Sequence, residues 1–304
     1  MRYNLIVILG PNASGKTRMA ARLAKDIGTE IVSADSRQVY RGMDIGTGKD
    51  LSDYVVDGVG VPHHIIDIVD PDHEFSVYEF QRRFHDCFSE IAARGKIPIL
   101  AGGTGLYIES VLRRFRMLPV PRDPDLRREL EGLGMEELAR RLLQINPGIH
   151  NTTDLGSRER VIRAIEIARY TQDHPDEKVA MPEIRALVFG ISRDRKTLRE
   201  RIAERLRRRL DEGMIEEVRR LHDGGLTWEA LERFGLEYRY VSRYLRKQLS
   251  REEMFNTLNI RIRQFAKRQE TWFRGMEKRG IDIIWINGDD YEALRERVRT
   301  LTGL

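Results

Sequence analysis

Apolar residues recur along this chain in two rhythms. Leu5-Ile6-Val7-Ile8-Leu9 is an unbroken apolar run ended by Gly10, the pattern of a strand buried on both faces of a parallel sheet. The same pattern appears at Ile31-Val32, Ile65 to Val69, Ile97 to Ala101, Ala186 to Ile191 and Ile281 to Ile286. Helical periodicity fills most of the intervals, beginning with a helix expected from Gly15 and ending with one over Tyr291 to Leu301. This alternation predicts an α/β fold, a doubly wound core around a parallel sheet. From Pro119 to Pro182 the strand pattern stops, and helical pieces such as Met135 to Leu143 and Arg158 to Thr171 stand between Pro- and Gly-containing breaks. Residues 119–182 are therefore expected to be a helical insertion between core segments 1–118 and 183–304. In the returning segment Leu198, Ile202, Leu206 and Leu210 recur every four residues. A second amphipathic helix carries Phe255, Leu258, Ile262 and Phe265, with Arg261, Gln264 and Arg268 sharing its other side.

Composition narrows the class. A chain of 304 residues with 40% hydrophobic content can bury a full core, and no apolar run approaches the ~18 residues of a membrane span. The first residues lack a basic start and a cleavage site, so the cytoplasm is the expected location. A lone cysteine, Cys87, excludes an internal disulfide, and its expected place on a helix face favours an inert thiol. Lys and Arg total 53 against 48 Asp and Glu, a net charge of +5, so the distribution of charge matters more than its sum. Nine basic and three acidic residues fall between Arg193 and Arg209, and four basic residues with no acid between Arg261 and Arg268. Such runs suit either a polyanion or a solvated helix face.

Gly10-Pro11-Asn12-Ala13-Ser14-Gly15-Lys16-Thr17 matches G-x-x-x-x-G-K-[ST] between a strand and a helix. Its glycines let backbone N–H groups approach phosphate oxygens, the helix N-terminus adds positive potential, Lys16 supplies a charge and the Thr17 hydroxyl can ligate Mg²⁺. The loop does not distinguish a nucleoside triphosphate from a prenyl diphosphate. Asp35, after the second strand, falls beside this loop, where open α/β sheets place ligands; it can act as a base, hold Mg²⁺ through water or cap a turn. Gly102-Gly103-Thr104-Gly105 follows another strand, where paired glycines allow close approach to a ligand and Thr104 can donate to it.

Together with the phosphate loop, four further segments resemble the tRNA dimethylallyltransferase family: Asp35 to Thr47, Val61-Pro62-His63-His64 with Ile65 to Asp67, Gly102 to Tyr107, and Ala266-Lys267-Arg268-Gln269-Glu270-Thr271-Trp272-Phe273. Arg160-Val161-Ile162-Arg163-Ala164 resembles one more, so the likeness runs in order over nearly the whole chain. The resemblance implies a P-loop core like that of nucleotide kinases with a helical insertion. It also implies transfer of a dimethylallyl group from dimethylallyl diphosphate, with Mg²⁺, to the exocyclic amine of an adenosine beside the anticodon, in tRNAs reading codons that begin with U. It makes Asp35 the general base, Thr104 a group that bonds substrate and leaving group, and Lys16 a stabiliser of departing charge. Residues 10–17 would hold the diphosphate, with Thr17 on the metal. Asp35, Ser36, Arg37, Gln38, Thr104, Arg127, Arg158, Glu159, Arg160, Val161 and Ile162 match positions that contact tRNA. A monomer without a membrane partner is expected. For Trp272, a core role fits the apolar stripe better than stacking on RNA; for His63 and His64, packing fits better than zinc.

Three departures stand out. Gly46-Thr47-Gly48-Lys49-Asp50 replaces the family's usual Gly-Thr-Ala-Lys-Pro, Phe234-Gly235-Leu236-Glu237-Tyr238-Arg239 stands where Ile-Gly-Tyr-Lys-Glu is commoner, and Ser157 stands where an acidic residue is usual. A small-molecule kinase, a prenyltransferase of free adenine nucleotides and a non-enzymatic RNA-binding module are the competing readings. The last leaves the complete phosphate loop unexplained.

Overall fold

The computed structural model describes residues 2–147, 157–175 and 180–304. These form two compact units, one of Met1–Arg114 with Pro182–Leu304 and a smaller one of Phe115–Met181.

The first unit opens with strand β1 (Leu5–Leu9), helix α1 (Lys16–Asp26), β2 (Ile31–Ala34), a short antiparallel ribbon of β3 (Val55–Val56) and β4 (Val59–Gly60), then β5 (His63–His64), α2 (Val77–Ala93), β6 (Ile99–Gly102) and α3 (Gly105–Leu112). The second unit contains α4 (Pro124–Glu131), α5 (Met135–Ile145) and α6 (Arg158–Asp173). The first unit resumes with β7 (Ala186–Ser192), α7 (Arg195–Asp211), α8 (Met214–Asp223), α9 (Trp228–Arg233), α10 (Leu236–Leu245), α11 (Arg251–Lys278), β8 (Ile284–Asn287) and α12 (Tyr291–Thr302). All pairings of the main sheet are parallel, in the order β5-β2-β6-β1-β7-β8.

The continuous apolar run of β1 has a simple cause. Leu5, Val7 and Leu9 enter one buried cluster and Ile6 and Ile8 enter another, so every side chain of the strand is covered. The first cluster packs α2, α3, α7 and α11 against the sheet; the second packs α1 and α12. In the smaller unit Leu126, Leu130, Leu138, Leu142, Val161 and Ile165 form a separate core, so the three described helices bury their stripes against one another.

Two expectations from the pattern are corrected. Ile65 to Val69 is not a strand: Ile65 (φ 61°) and Asp67 (φ 54°) adopt the left-handed region, which ends the ladder, and the sheet is entered by His63–His64 instead. The apolar run survives as a bridge of Val69 to Tyr40. On α11 the buried stripe runs through Met254, Leu258, Ile262, Ala266, Phe273 and Met276, whereas Phe265 is 37% exposed. α11 starts in a capping box between Ser250 and Glu253, which fixes its register.

Candidate active site

Three loops leave the carboxyl ends of adjacent strands β2, β6 and β1. They carry Asp35 to Gln38, Gly103-Thr104 and the phosphate loop, and strand order alone brings these distant segments side by side. The adjacency is close at Gly102, where a Cβ would stand 2.2 Å from the carbonyl oxygen of Ala34; only glycine fits there. Beyond it the Thr104 N–H donates to that same carbonyl at 3.1 Å. Thr104 Oγ1 accepts from the Ser36 N–H at 3.0 Å, locking the two loops together.

Asp35 Oδ1 accepts from the N–H groups of Arg37 and Gln38 at 2.9 and 3.4 Å, which fixes the carboxylate in place. Its Oδ2 makes no hydrogen bond to a described residue. Asp35, Lys16, Thr17, Asn12 and Thr104 line one cavity of about 310 Å³ with Ser36, Arg37 and Gln38. Tyr54, Phe234, Leu236, Ile262 and Phe265 give the cavity an apolar portion. Burial of Lys16 lowers its pKa to about 8, with Arg205 and Arg209 adding to the depression and Asp35 and Asp53 opposing it. The arrangement offers cationic and backbone donors to an oxyanion and, across the same space, a carboxylate acceptor for a proton.

The phosphate loop is held from outside its own segment. Gln269 on α11 accepts from the Asn12 N–H at 2.8 Å and donates from Nε2 to the Gly103 carbonyl at 2.9 Å. Arg193 Nε donates to the Ser14 carbonyl at 2.7 Å and Arg201 Nε to the Ala13 carbonyl at 3.1 Å. The basic run is thus divided: Arg193, Arg201, Arg205 and Arg209 turn inward, while Arg195, Lys196, Arg199, Arg207 and Arg208 are exposed. On the opposite wall the buried Glu217 of α8 gathers the loop after Asp35: Oε2 accepts from the N–H groups of Asp44 and Ile45, and Oε1 from the Gly46 N–H and the Tyr238 hydroxyl. Neither Gln269 nor Glu217 was singled out individually by the sequence pattern. Their signal is a polar residue within an apolar stripe, between Ile262 and Phe273 for one and beside Val218 for the other.

The matching family models are IPP transferase over residues 38–276 and isopentenyl transferase over residues 3–57. The chain belongs to the IPP transferase family. Among its relatives, a protein of Syntrophus aciditrophicus named tRNA dimethylallyltransferase 1 is 57% identical, over 98% of both chains. The crystal structure of a tRNA isopentenylpyrophosphate transferase from Bacillus halodurans is 34% identical with a TM-score of 0.70, over 98% of this chain and 96% of the other. A eukaryotic dimethylallyltransferase solved acting on tRNA shares the fold, with a TM-score of 0.78 at 24% identity over 97% of this chain and 77% of the other. The chain is accordingly a member of a prenyltransferase enzyme family built on a P-loop α/β core.

The remaining candidate residues lie in the smaller unit, within its own framework. Arg127 pairs through Nε and Nη2 with the buried carboxylate of Glu166 at 2.6 and 3.0 Å, and Arg163 joins at 2.9 Å. Although burial opposes it, these partners hold the Glu166 carboxyl down at about 2. Arg158 donates to the carbonyls of Leu130, Glu131 and Leu133 at the end of α4. Val161 is core and Ile162 packs against it, while Glu159 and Arg160 are exposed. Ser157, one of the three departures, caps α6 by accepting from the Arg160 N–H at 3.4 Å, a task Asp or Ser performs equally.

Other candidates have partners within the fold. His64 bonds Glu30 at 2.9 Å and the His63 ring lies tilted against Tyr54 at 4.4 Å, and no cluster among the described residues has three or more ligands for a metal. Trp272 is half-buried, donates to Glu109 at 3.0 Å and covers Gly105. Burial pushes the Cys87 thiol up to about 11, so it is not a thiolate near neutrality. No helix among the described residues is long and apolar enough to cross a membrane.

Proposed function

We propose that this chain transfers the dimethylallyl group of dimethylallyl diphosphate to the N6 amine of the adenosine 3′-adjacent to the anticodon, in tRNAs reading codons that begin with U. The observation that carries the reading is the shared cavity: phosphate-loop donors and the Asp35 carboxylate face the same 310 Å³ space, as a displacement with charged leaving group and weak nucleophile requires.

The N6 lone pair attacks the allylic carbon as the bond from that carbon to the diphosphate oxygen breaks, and the diphosphate leaves with the bonding electrons. Asp35 removes the proton that N6 must lose; its Oδ2 is available while Oδ1 is anchored by Arg37 and Gln38. Lys16 and the backbone N–H groups of residues 10–17 stabilise charge on the departing oxygens. Thr104, fixed against Ser36, holds the acceptor side to the leaving-group side. Mg²⁺ fits the donor set, because this ion takes few protein oxygens and completes its shell with phosphate oxygens and water. Thr17 Oγ1 would hold it, and its contribution is neutralisation of phosphate charge.

An adenine stacked in an anticodon loop must be extruded to reach Asp35. The apolar portion of the cavity at Phe234, Leu236, Ile262 and Phe265 suits a prenyl chain and a base face. The exposed Arg261, Lys267 and Arg268 of α11 and Arg160 of the smaller unit suit the RNA backbone, while the exposed Glu159 can accept only from base or ribose donors.

The test incubates the protein with Mg²⁺, labelled dimethylallyl diphosphate and unmodified tRNA, with ATP replacing the prenyl donor as control, and reads digested tRNA by mass spectrometry. Prenylated adenosine formed only with the allylic donor is the expected result. Consumption of ATP without prenylation would overturn it in favour of a kinase.

A further inference from the structure

The arginines of α7 that face the cavity and phosphate loop are not equivalent. Arg201 donates to the Ala13 carbonyl, and Arg205 donates to the Gly48 carbonyl at 3.3 Å and to Asp50 at 2.7 Å. Arg209, one turn further along the same face, is 7% exposed and donates no hydrogen bond to any described residue. Its nearest counter-charge is Glu237, at 3.7 Å and therefore beyond hydrogen-bonding distance. A guanidinium carries five N–H donors, and burying it without acceptors is strongly unfavourable unless something else meets them.

What it faces is the ligand space. Arg209 lines the main cavity with Lys16 and Asn12, and a narrower space of about 20 Å³ that it shares with Asn12, Ala13, Arg205 and Glu237. The chain also makes room for it. A Cβ on Gly48 would stand 1.6 Å from Arg209 Nη2, so Arg209 can lie there only while position 48 has no side chain, and the φ of +71° at Gly48 disfavours one. Gly48 and Glu237, which flank Arg209, both fall at positions where the sequence departs from the motifs it otherwise follows.

We propose that Arg209 is a donor-binding residue, its N–H groups taking oxygens of the prenyl diphosphate opposite the phosphate loop, with Gly48 as the residue that permits its placement and Glu237 as its resting partner. The assignment rests on the diphosphate reading of this cavity given above. Phosphate oxygens could also come from the RNA, but the spaces shared with Asn12, Ala13 and Lys16 favour the donor.

Calorimetric titration separates the possibilities. Wild type, Lys16→Ala, Arg209→Met, Arg209→Lys and Gly48→Ala are each titrated with dimethylallyl diphosphate and Mg²⁺ in the absence of tRNA, and separately with unmodified tRNA. Arg209→Met is expected to bind the diphosphate about 10-fold more weakly, the loss of one charge-assisted contact. Arg209→Lys should fall between it and wild type. Gly48→Ala should weaken binding as Arg209→Met does, and the double variant should be no weaker than Arg209→Met alone, because both changes remove the same contact. Affinity for tRNA should stay within about 2-fold. Thermal melts identify a variant that fails to fold, in which case Arg209→Lys carries the comparison. Diphosphate binding by Arg209→Met equal to wild type would overturn the assignment, as would a loss confined to tRNA. Failure of the wild type to bind the diphosphate, or unchanged binding by Lys16→Ala, would instead sink the reading on which it rests.

Discussion

Gln269 accepts a hydrogen bond from the backbone N–H of Asn12 at 2.8 Å, joining the phosphate loop to a helix 257 residues further along the chain. The same side chain holds Gly103, so one amide sets the spacing between the loop that would take the diphosphate and the loop that carries Thr104. Gln269→Leu should leave the buried Gly103 carbonyl and the part-buried Asn12 N–H without this partner and lower stability by about 2 kcal/mol. It should also reduce kcat/KM, because the loops are no longer held in register. Chemical denaturation and steady-state prenylation check both; wild-type kinetics in a destabilised variant would deny Gln269 the positioning role.

Lys16 gives the donor affinity a pH dependence with a definite sign. Burial lowers its pKa to about 8, so the free protein loses this charge as pH rises through that value. The charged form binds the anion, hence affinity for dimethylallyl diphosphate should be fullest below pH 8 and weaken above it, with a proton taken up on binding there. Titration in two buffers of different ionisation enthalpy measures that uptake. Lys16→Arg, which stays charged, should lose the inflection near pH 8.

Asp35→Asn keeps an oxygen to accept from Arg37 and Gln38, so the loop should survive while the base is lost. The single-turnover rate of prenyl transfer is expected to fall by about 10² to 10⁴, with affinities for both substrates close to wild type. A near-normal rate would mean that Asp35 is a turn cap and no more.

Glu217→Gln tests the opposite wall. The amide places two donors against backbone N–H groups that are themselves donors, at Asp44 and Ile45 or at Gly46. A loss of about 3 kcal/mol in stability is expected. Because Gln38 Nε2 bonds the Gly48 carbonyl in that loop, KM for tRNA should rise more than KM for the diphosphate. Equal changes in both would assign Glu217 to stability alone.

The sequence by itself determined the parallel core and the phosphate loop, and the family resemblance linked Asp35 with Thr104. The core and the phosphate loop were legible because they depend on local spacing. A strand covered on both faces must read as a continuous apolar run, and a phosphate cradle needs its glycines, lysine and hydroxyl at fixed separations. The stretch Ile65 to Val69 misled for the same reason, since an apolar run says that side chains are buried and not that the backbone is extended; two left-handed residues end the ladder there.

Only the tertiary structure decided which polar residues meet around the cavity. Arg193, Arg201, Arg205 and Arg209 look alike within a basic run, yet the first two grip the phosphate loop, the third pairs with Asp50 and the fourth faces the cavity. Arg127 and Arg158, which match family positions that contact tRNA, also hold Glu166 and the end of α4. Gln269 stood in a family segment with no role attached to it, and Glu217 in no motif at all. Charge and hydrogen-bonding capacity are written in the sequence, but their partners lie scores of residues away, and only the packing of helices on the sheet determines which donor meets which acceptor.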